Sequence, residues 1–274
     1  MSEALLPSGM VLDIRGWCLA DQEALLDQKD DAQALTLRMA ELGTIRCLEP
    51  GPYGFGANAK PSWSEVSIDD IQAANVLIRA ITDDGIFRFD RSCDSCGRKK
   101  KLEIAMKDVE IISATEEGKQ HLASKQPIVR PVMTAKGPAE VDLRILRGQH
   151  LPEIAKRGRK DQKLLLRIQH CLSIQSIRFL DSSKPMTSLR EILEFWGLPG
   201  QPWALGRTVK ETLEQAGGGP DLYADWTCDN VFCSGRDQQT LLPLDHRFYG
   251  LEMLLSSSRR SKPSSGADSP AAPA

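Results

Sequence analysis

Residues 87–108 read FRFDRSCDSCGRKKKLEIAMKD and contain two cysteines, Cys93 and Cys96, separated by two residues. Apolar side chains alternate with polar ones on both sides of this pair: Phe87, Phe89, Leu102, Ile104 and Met106. An apolar residue at every second position is typical of a β-strand with one buried face. The stretch therefore predicts a β-hairpin with the two cysteines at its tip.

A second segment, YADWTCDNVFCSGRDQQTLLPLD at residues 223–245, has the same order of features. An aromatic lead-in is followed by a cysteine pair, a nearby glycine and an apolar strand that ends in aspartate. Zinc takes four ligands in a tetrahedron, whereas one tight turn presents only two thiolates, so a second hairpin must complete such a site. We therefore expect one structural zinc ion (Zn2+) bound by Cys93, Cys96, Cys228 and Cys233.

The two pairs differ in spacing. Gly97 follows the first pair and permits the backbone bend of a metal-binding turn. Cys228 and Cys233 are separated by four residues, which is within the range for zinc ligands. About 130 residues lie between the pairs, but the entropic cost of closing a loop grows only logarithmically with its length. Buried or reduced thiols in one or both pairs remain the alternative, and His246 is a weaker candidate ligand.

The predicted site does not have the features of an enzyme. Four thiolates close the coordination sphere, whereas catalytic zinc keeps one position open for water. A redox Cys-x-x-Cys motif is usually followed by a helix N-terminus, and here a basic turn and a strand are predicted instead. No Ser-His-Asp set or carboxylate pair is evident from spacing. We therefore expect no catalytic residues and no small-molecule substrate.

Composition limits the remaining classes of function. The chain has 274 residues, a formal net charge of −2 and seven cysteines. Cys18, Cys47 and Cys171 stand alone among apolar residues, which predicts small buried thiols. No apolar run approaches the roughly 18–20 residues needed to span a bilayer, and the N-terminus does not resemble a signal peptide, so we expect a soluble, unexported protein without a membrane partner.

Two basic runs raise the possibility of nucleic-acid binding. The first is Arg98–Lys101, and the second comprises Lys156, Arg157, Arg159, Lys160 and Lys163. The chain as a whole is nearly neutral and lacks the broad positive surface typical of such proteins. A zinc-ribbon nucleic-acid-binding protein is therefore kept as the alternative function.

The expected fold class is α+β: two zinc-knuckle β-hairpins form a ribbon-like unit, and a helical module is inserted between them. The predicted regions are 1–112 (N-terminal α+β, first knuckle), 113–150 (β-hairpin), 151–219 (helical module), 220–252 (second knuckle) and 253–274 (disordered tail). The individual elements predicted are a strand in 10–18, a helix over Leu25–Leu42, a loop at 48–58, a helix capped by Ser67 and Asp70, a hairpin in 128–147, and helices over 151–180, around Leu189–Trp196 and around Leu205–Leu213.

Several short motifs occur in a fixed order: LPSG at 6–9, IRG at 14–16, EPGPYG at 49–54 followed by a tryptophan, F-x-F leading into CxxCG, and LPLD before RFYG at 247–250. In this order the chain resembles the baseplate protein family of contractile-tailed bacteriophages. The resemblance spans roughly residues 5–252. The distal cysteine pair departs from the family's usual two-residue spacing, and residues 199–221 match it poorly.

The resemblance implies a non-enzymatic structural or assembly component of the phage baseplate or its central hub. It implies that Cys93, Cys96, Cys228 and Cys233 match the family's paired cysteines. Partners would be other tail and baseplate proteins, and the protein would be located in the virion tail or, during assembly, in the host cytoplasm.

Overall fold

The computed structural model describes residues 2–25, 31–158, 162–182, 184–200, 203–244 and 248–249. The fold is mixed, with helices and antiparallel β-sheets. The N-terminal sheet has the order β1 (Ser2–Leu5), β2 (Val11–Ile14) and β3 (Thr44–Glu49). Strand β2 confirms the strand predicted in 10–18. Helix α1 (Leu19–Glu23) and helix α2 (Ala32–Gly43) lie between β2 and β3; α2 confirms most of the helix predicted there, and residues 26–30 lie outside the described residues.

Helix α3 (Ile68–Ala80) begins where the sequence predicts, because Ser67 Oγ accepts a hydrogen bond from Asp70 N at 3.1 Å. The second half of the expected capping box is replaced by contacts with the turn after β1 and with the predicted loop. The Asp70 carboxylate accepts from Ser8 N at 3.0 Å and from the Tyr53 hydroxyl at 2.5 Å. Tyr53 Oη in turn accepts from Ser67 N at 3.1 Å. These bonds attach the loop at 48–58 to the start of α3.

An ion pair fixes the start of α1. Both terminal nitrogens of Arg15 donate to Asp21, at 2.6 and 2.9 Å, and Cys18 N donates to Asp21 Oδ2 at 2.9 Å. The hydrogen bonds from Arg15 lower the pKa of Asp21 from 3.8 to about 2. The folded state therefore favours the ionised carboxylate.

This pair predicts an acid-dependent loss of stability. The pKa of Asp21 is depressed in the folded protein, so its contribution is present above the unfolded pKa and is lost as the pH falls from about 4 to about 2. Chemical denaturation of the protein and of the Asp21→Asn variant at several pH values measures this loss of stability. We expect the variant to be less stable by roughly 2 kcal/mol at pH 7, and the difference to shrink towards pH 2. An equal difference at both pH values would contradict this.

Both hairpins predicted around the cysteine pairs are present. Strand β4 (Ile86–Ser92) pairs with β5 (Lys99–Ala105), with Phe89 opposite Leu102. A short strand β6 (Ile111–Ile112) and helix α4 (Glu116–Ser124) follow. Near the C-terminus, β11 (Tyr223–Thr227) pairs with β12 (Asp237–Leu241).

The third predicted hairpin is also confirmed, and it belongs to a larger sheet. Strand β7 (Ile128–Thr134) pairs with β8 (Gly137–Leu143), and β8 pairs with β9 (Ile174–Phe179). The prediction that residues 151–180 are helical throughout is therefore wrong at 174–179. Ile174 and Ile177 have helical spacing, but these β-branched residues instead supply a strand that satisfies the open edge of β8.

The remaining elements are mostly helical, as predicted. They are α5 (Leu151–Gly158), α6 (Gln162–Ser173), α7 (Leu189–Trp196) and α8 (Trp203–Gly217), followed by β10 (Gly219–Pro220), which pairs with β6. Among the described residues, no helix is both long and apolar enough to cross a membrane.

Two clusters of buried apolar side chains form the core. The larger cluster combines the N-terminal sheet, α2, α3, both cysteine hairpins and the segment at 248–249, while the smaller lies between the β7–β8–β9 sheet and helices α7 and α8. The C-terminal segment reaches the N-terminal region directly, since Gln22 Nε2 donates to Tyr249 O at 3.1 Å. The first and last parts of the described chain therefore share one core. The five-region division stays a prediction, and residues 253–274 lie outside the described residues.

Candidate metal centre

The four predicted cysteines lie together. The Sγ atoms of Cys93, Cys96, Cys228 and Cys233 are all within 4.8 Å of one another. A zinc tetrahedron with bonds of ~2.3 Å would place its sulfurs roughly 3.8 Å apart. The two shortest separations, 3.6 Å and 3.7 Å, are close to that value and far longer than the ~2.05 Å of a disulfide. The four thiols therefore lie close enough together to bind one metal ion.

The short contacts run between the hairpins. Cys93 Sγ lies 3.6 Å from Cys233 Sγ, and Cys96 Sγ lies 3.7 Å from Cys228 Sγ. Each contact thus joins one cysteine of the β4–β5 turn to one of the β11–β12 turn. A metal bound here would link two segments that are distant in sequence.

Backbone hydrogen bonds form the first turn. Cys93 N donates to Arg98 O at 2.9 Å, and Gly97 N donates to Cys93 O at 2.8 Å. Gly97 has a φ of +72°, as the sequence predicted for the residue that bends the chain after the pair. This conformation is in the left-handed region, where a side chain is unfavourable.

Substitution of Gly97 by alanine tests this turn. No atom lies within 4 Å of the position that a Cβ would take, so the expected cost is backbone strain alone, about 1–2 kcal/mol. Gly56→Ala is the matched control, since its φ is not positive and its Cβ would meet only Ala59 at 3.9 Å. Urea unfolding of the metal-replete protein measures both. Equal stability of Gly97→Ala and the unmodified protein would contradict the assigned turn.

The four residues between Cys228 and Cys233 form a turn that has its own hydrogen bonds. Cys233 N donates to Asn230 O at 3.0 Å, and Phe232 N donates to the Asn230 side-chain oxygen at 3.1 Å. Val231 and Phe232 then project outward, with 66% and 93% of their surface exposed. Cys228 N donates to Arg236 O at 2.8 Å, in the same way as Cys93 N does to Arg98 O. The extra residues therefore do not prevent Cys228 and Cys233 from facing the first pair.

The four thiols differ in their surroundings. Cys93, Cys228 and Cys233 are buried, while Cys96 is exposed. The backbone N–H of Arg98 lowers the pKa of Cys96 to about 7. Burial raises the pKa of Cys233 to about 11. Cys96 therefore ionises more readily than Cys233. A bound dication would favour the thiolate form of all four cysteines.

Further contacts between the hairpins were not anticipated from the sequence. Lys100 Nζ donates to Asp229 Oδ1 at 2.7 Å and to Thr227 O at 2.9 Å. A Cβ added at Gly235 would lie 2.2 Å from Ser95 Oγ, so the two turns approach closely at this glycine. Lys100 lies in a basic run that resembles an ordinary solvated surface, and no local pattern pairs it with Asp229.

The remaining candidate residues lie elsewhere. Cys47 and Cys171 are buried, as expected, and burial raises the pKa of Cys171 to about 12. Cys18 is exposed, so its predicted burial is wrong: the neighbouring Trp17 enters the core, while Cys18 begins α1 at the surface. His246 lies outside the described residues. Within the described ranges, the four-cysteine cluster is the one group of histidine, cysteine or acidic residues placed to hold a metal ion.

Comparison with known proteins adds no relative: no protein family model, no curated protein and no solved structure matches this chain.

Proposed function

We propose that the chain is a non-enzymatic structural or assembly protein whose four cysteines bind one structural zinc ion. The observation that carries this proposal is the convergence of Cys93, Cys96, Cys228 and Cys233 within 4.8 Å from two distant hairpins. Soft thiolates in a tetrahedral arrangement favour zinc or iron, and a closed four-sulfur site leaves no open position for a substrate. A structural role follows from that closure.

The role of the ion is to join the two cysteine hairpins into one ribbon-like unit. A two-stranded hairpin is marginally stable by itself. Strands β4–β5 and β11–β12 form separate two-stranded sheets. The hydrogen bonds that Lys100 and Asp94 donate between the two turns, to Asp229, Thr227 and Gln238, are exposed. An exposed ion pair contributes only about 0–1 kcal/mol. In this proposal the metal links the two turns, while the larger apolar core holds the strands of both hairpins.

We further propose that this unit belongs to the baseplate or hub of a contractile phage tail. The order of motifs from LPSG to RFYG supports this assignment. A clamp that holds two hairpins rigid also suits a protein that presents fixed surfaces to other tail proteins. The side chains of Val231 and Phe232, exposed at the tip of the second turn, are candidates for such a contact.

Tail assembly in the host tests this placement. Tagged protein recovered from infected cells should carry baseplate proteins, identified by mass spectrometry, and phage that lack the gene should produce tails without complete baseplates in electron micrographs. Cys228→Ser should lose these partners, while Cys18→Ser should keep them. Normal baseplates in the absence of the gene would contradict the proposal.

The alternative of a nucleic-acid-binding zinc ribbon has less support. Within the basic run at the first turn, Lys100 is engaged by Asp229 and Thr227. Arg91, on the strand before that turn, lies 3.4 Å from Asp94. Binding to DNA or RNA that weakens steeply with salt would favour the alternative.

A further inference from the structure

A second polar site lies away from the cysteines, in a cavity of about 140 Å³ beside the end of α4 and the segment that follows β8. Three cationic side chains line it, Lys125, Arg144 and Arg147, with one carboxylate, Glu65. Glu65 Oε2 lies 3.4 Å from Arg147 and 3.8 Å from Lys125. One negative charge therefore faces three positive ones.

Among the residues that the structure describes, Arg144 has no carboxylate within ion-pair distance. Its Nε donates to Leu172 O at 2.8 Å, near the end of α6. Its two terminal amino groups make no hydrogen bond to any part of the chain that the structure describes. Burial lowers the pKa of Arg144, and no carboxylate in the described part of the chain offsets that effect. Within the described ranges, the two terminal amino groups of the guanidinium are therefore available to donate to an anion.

Arg147 has a different role, because its hydrogen bonds to the backbone stabilise the structure around the cavity. Its terminal nitrogens donate to Leu122 O at 2.8 Å and to Glu65 O at 3.1 Å. Both arginines thus bind carbonyls near helix C-termini, each of which carries a partial charge of about −0.5. Three cations, one carboxylate and two helix ends still leave a net charge of roughly +1.

His150 adds a neutral donor. Its Nδ1 lies 2.9 Å from Arg147 N and 3.1 Å from Arg147 O, so it accepts from the N–H in one tautomer and donates to the carbonyl in the other. In the tautomer in which Nδ1 accepts, the ring proton is on Nε2, which makes no hydrogen bond within the described residues. Burial and the charge of Arg144 lower the pKa of His150, so the ring stays neutral. His121 is already committed, since its ring nitrogens contact Gln126 O and Ile145 N.

We propose that this cavity binds one phosphoryl group, with Arg144 and Lys125 as its charged donors and His150 Nε2–H, in the tautomer in which Nδ1 accepts, as a neutral one. The planar fork of a guanidinium matches the geometry of phosphate oxygens. The cavity is smaller than the roughly 300–1,000 Å³ of sites for drug-sized ligands, so it suits a single group. Lys125 is exposed at the rim, which leaves room for the group to be carried by a larger molecule.

Calorimetric titration of the full, metal-replete chain tests the site, with inorganic phosphate in one arm and O-phospho-L-serine in the other at constant ionic strength. We expect saturable binding of one phosphoryl group per chain. Tighter binding of phosphoserine would indicate a phosphate monoester carried by a larger molecule as the source, and equal or weaker binding would indicate free phosphate.

Variants make the test specific. Arg144→Gln should weaken binding about tenfold or more, because it removes charge-assisted hydrogen bonds. Arg190→Gln makes the same change on an exposed arginine of α7 and should leave binding unchanged. If Arg144→Gln does not fold, Lys125→Gln at the exposed rim serves instead and should weaken binding severalfold. No saturable binding in either arm, or equal effects of the cavity and control variants, would overturn the proposal.

Discussion

Cys93→Ser is expected to abolish metal binding and to lower the free energy of unfolding by several kcal/mol. Cys93 Sγ is buried and lies 3.6 Å from Cys233 Sγ, so a serine hydroxyl there would replace a soft ligand at the junction of the two hairpins. Structural zinc contributes roughly 10–16 kcal/mol in isolated zinc fingers. The loss here is smaller, because the larger apolar core also holds both hairpins.

Cys228→Ser should have the same effect, although it lies in the other hairpin. If one ion is shared, the double variant Cys93→Ser/Cys228→Ser should be little worse than either single variant, since each already removes the whole site. Cys18→Ser is the control, because Cys18 is exposed and lies outside the cluster. Metal content by mass spectrometry and urea unfolding measure all four proteins. Additive losses, or half of the metal retained in each single variant, would show that the pairs act separately.

Phe87→Ala is expected to lower the free energy of unfolding by about 3–5 kcal/mol. Phe87 is 1% exposed, and its ring lies 5.0 Å from that of Phe89 and 5.2 Å from that of Phe248. The substitution would leave a cavity where the first cysteine hairpin packs against the C-terminal segment. Urea unfolding measures the loss, and the metal content should remain unchanged.

Phe232→Ala is the matched control for this prediction. It removes the same side chain from the other cysteine hairpin, but Phe232 is 93% exposed. Its effect on stability should stay within about 0.5 kcal/mol. Similar losses for both variants would mean that the first hairpin is not anchored in the core as described.

The cysteine hairpins were predictable because their signals are local. Period-two alternation at Phe87, Phe89 and Leu102 specifies which face is buried, and Gly97 specifies the bend. The ligand number of zinc and the repeated order of features predict that the two cysteine pairs meet. That prediction requires no knowledge of the chain between them.

Other features depend on contacts that no local pattern contains. The apolar spacing in β9 also fits a helix. The strand forms because its backbone pairs with the free edge of β8. The Lys100–Asp229 bridge forms only after the hairpins meet. The cavity near Arg144 combines residues from separate elements, so its excess of positive charge is not visible in a chain with a net charge of −2.

X-ray absorption at the zinc edge of the purified full-length protein tests the central claim most directly. We expect about one zinc per chain, surrounded by four sulfurs at ~2.3 Å. A metal-free folded protein, or a first shell that mixes sulfur with nitrogen or oxygen, would contradict a four-cysteine clamp formed by Cys93, Cys96, Cys228 and Cys233.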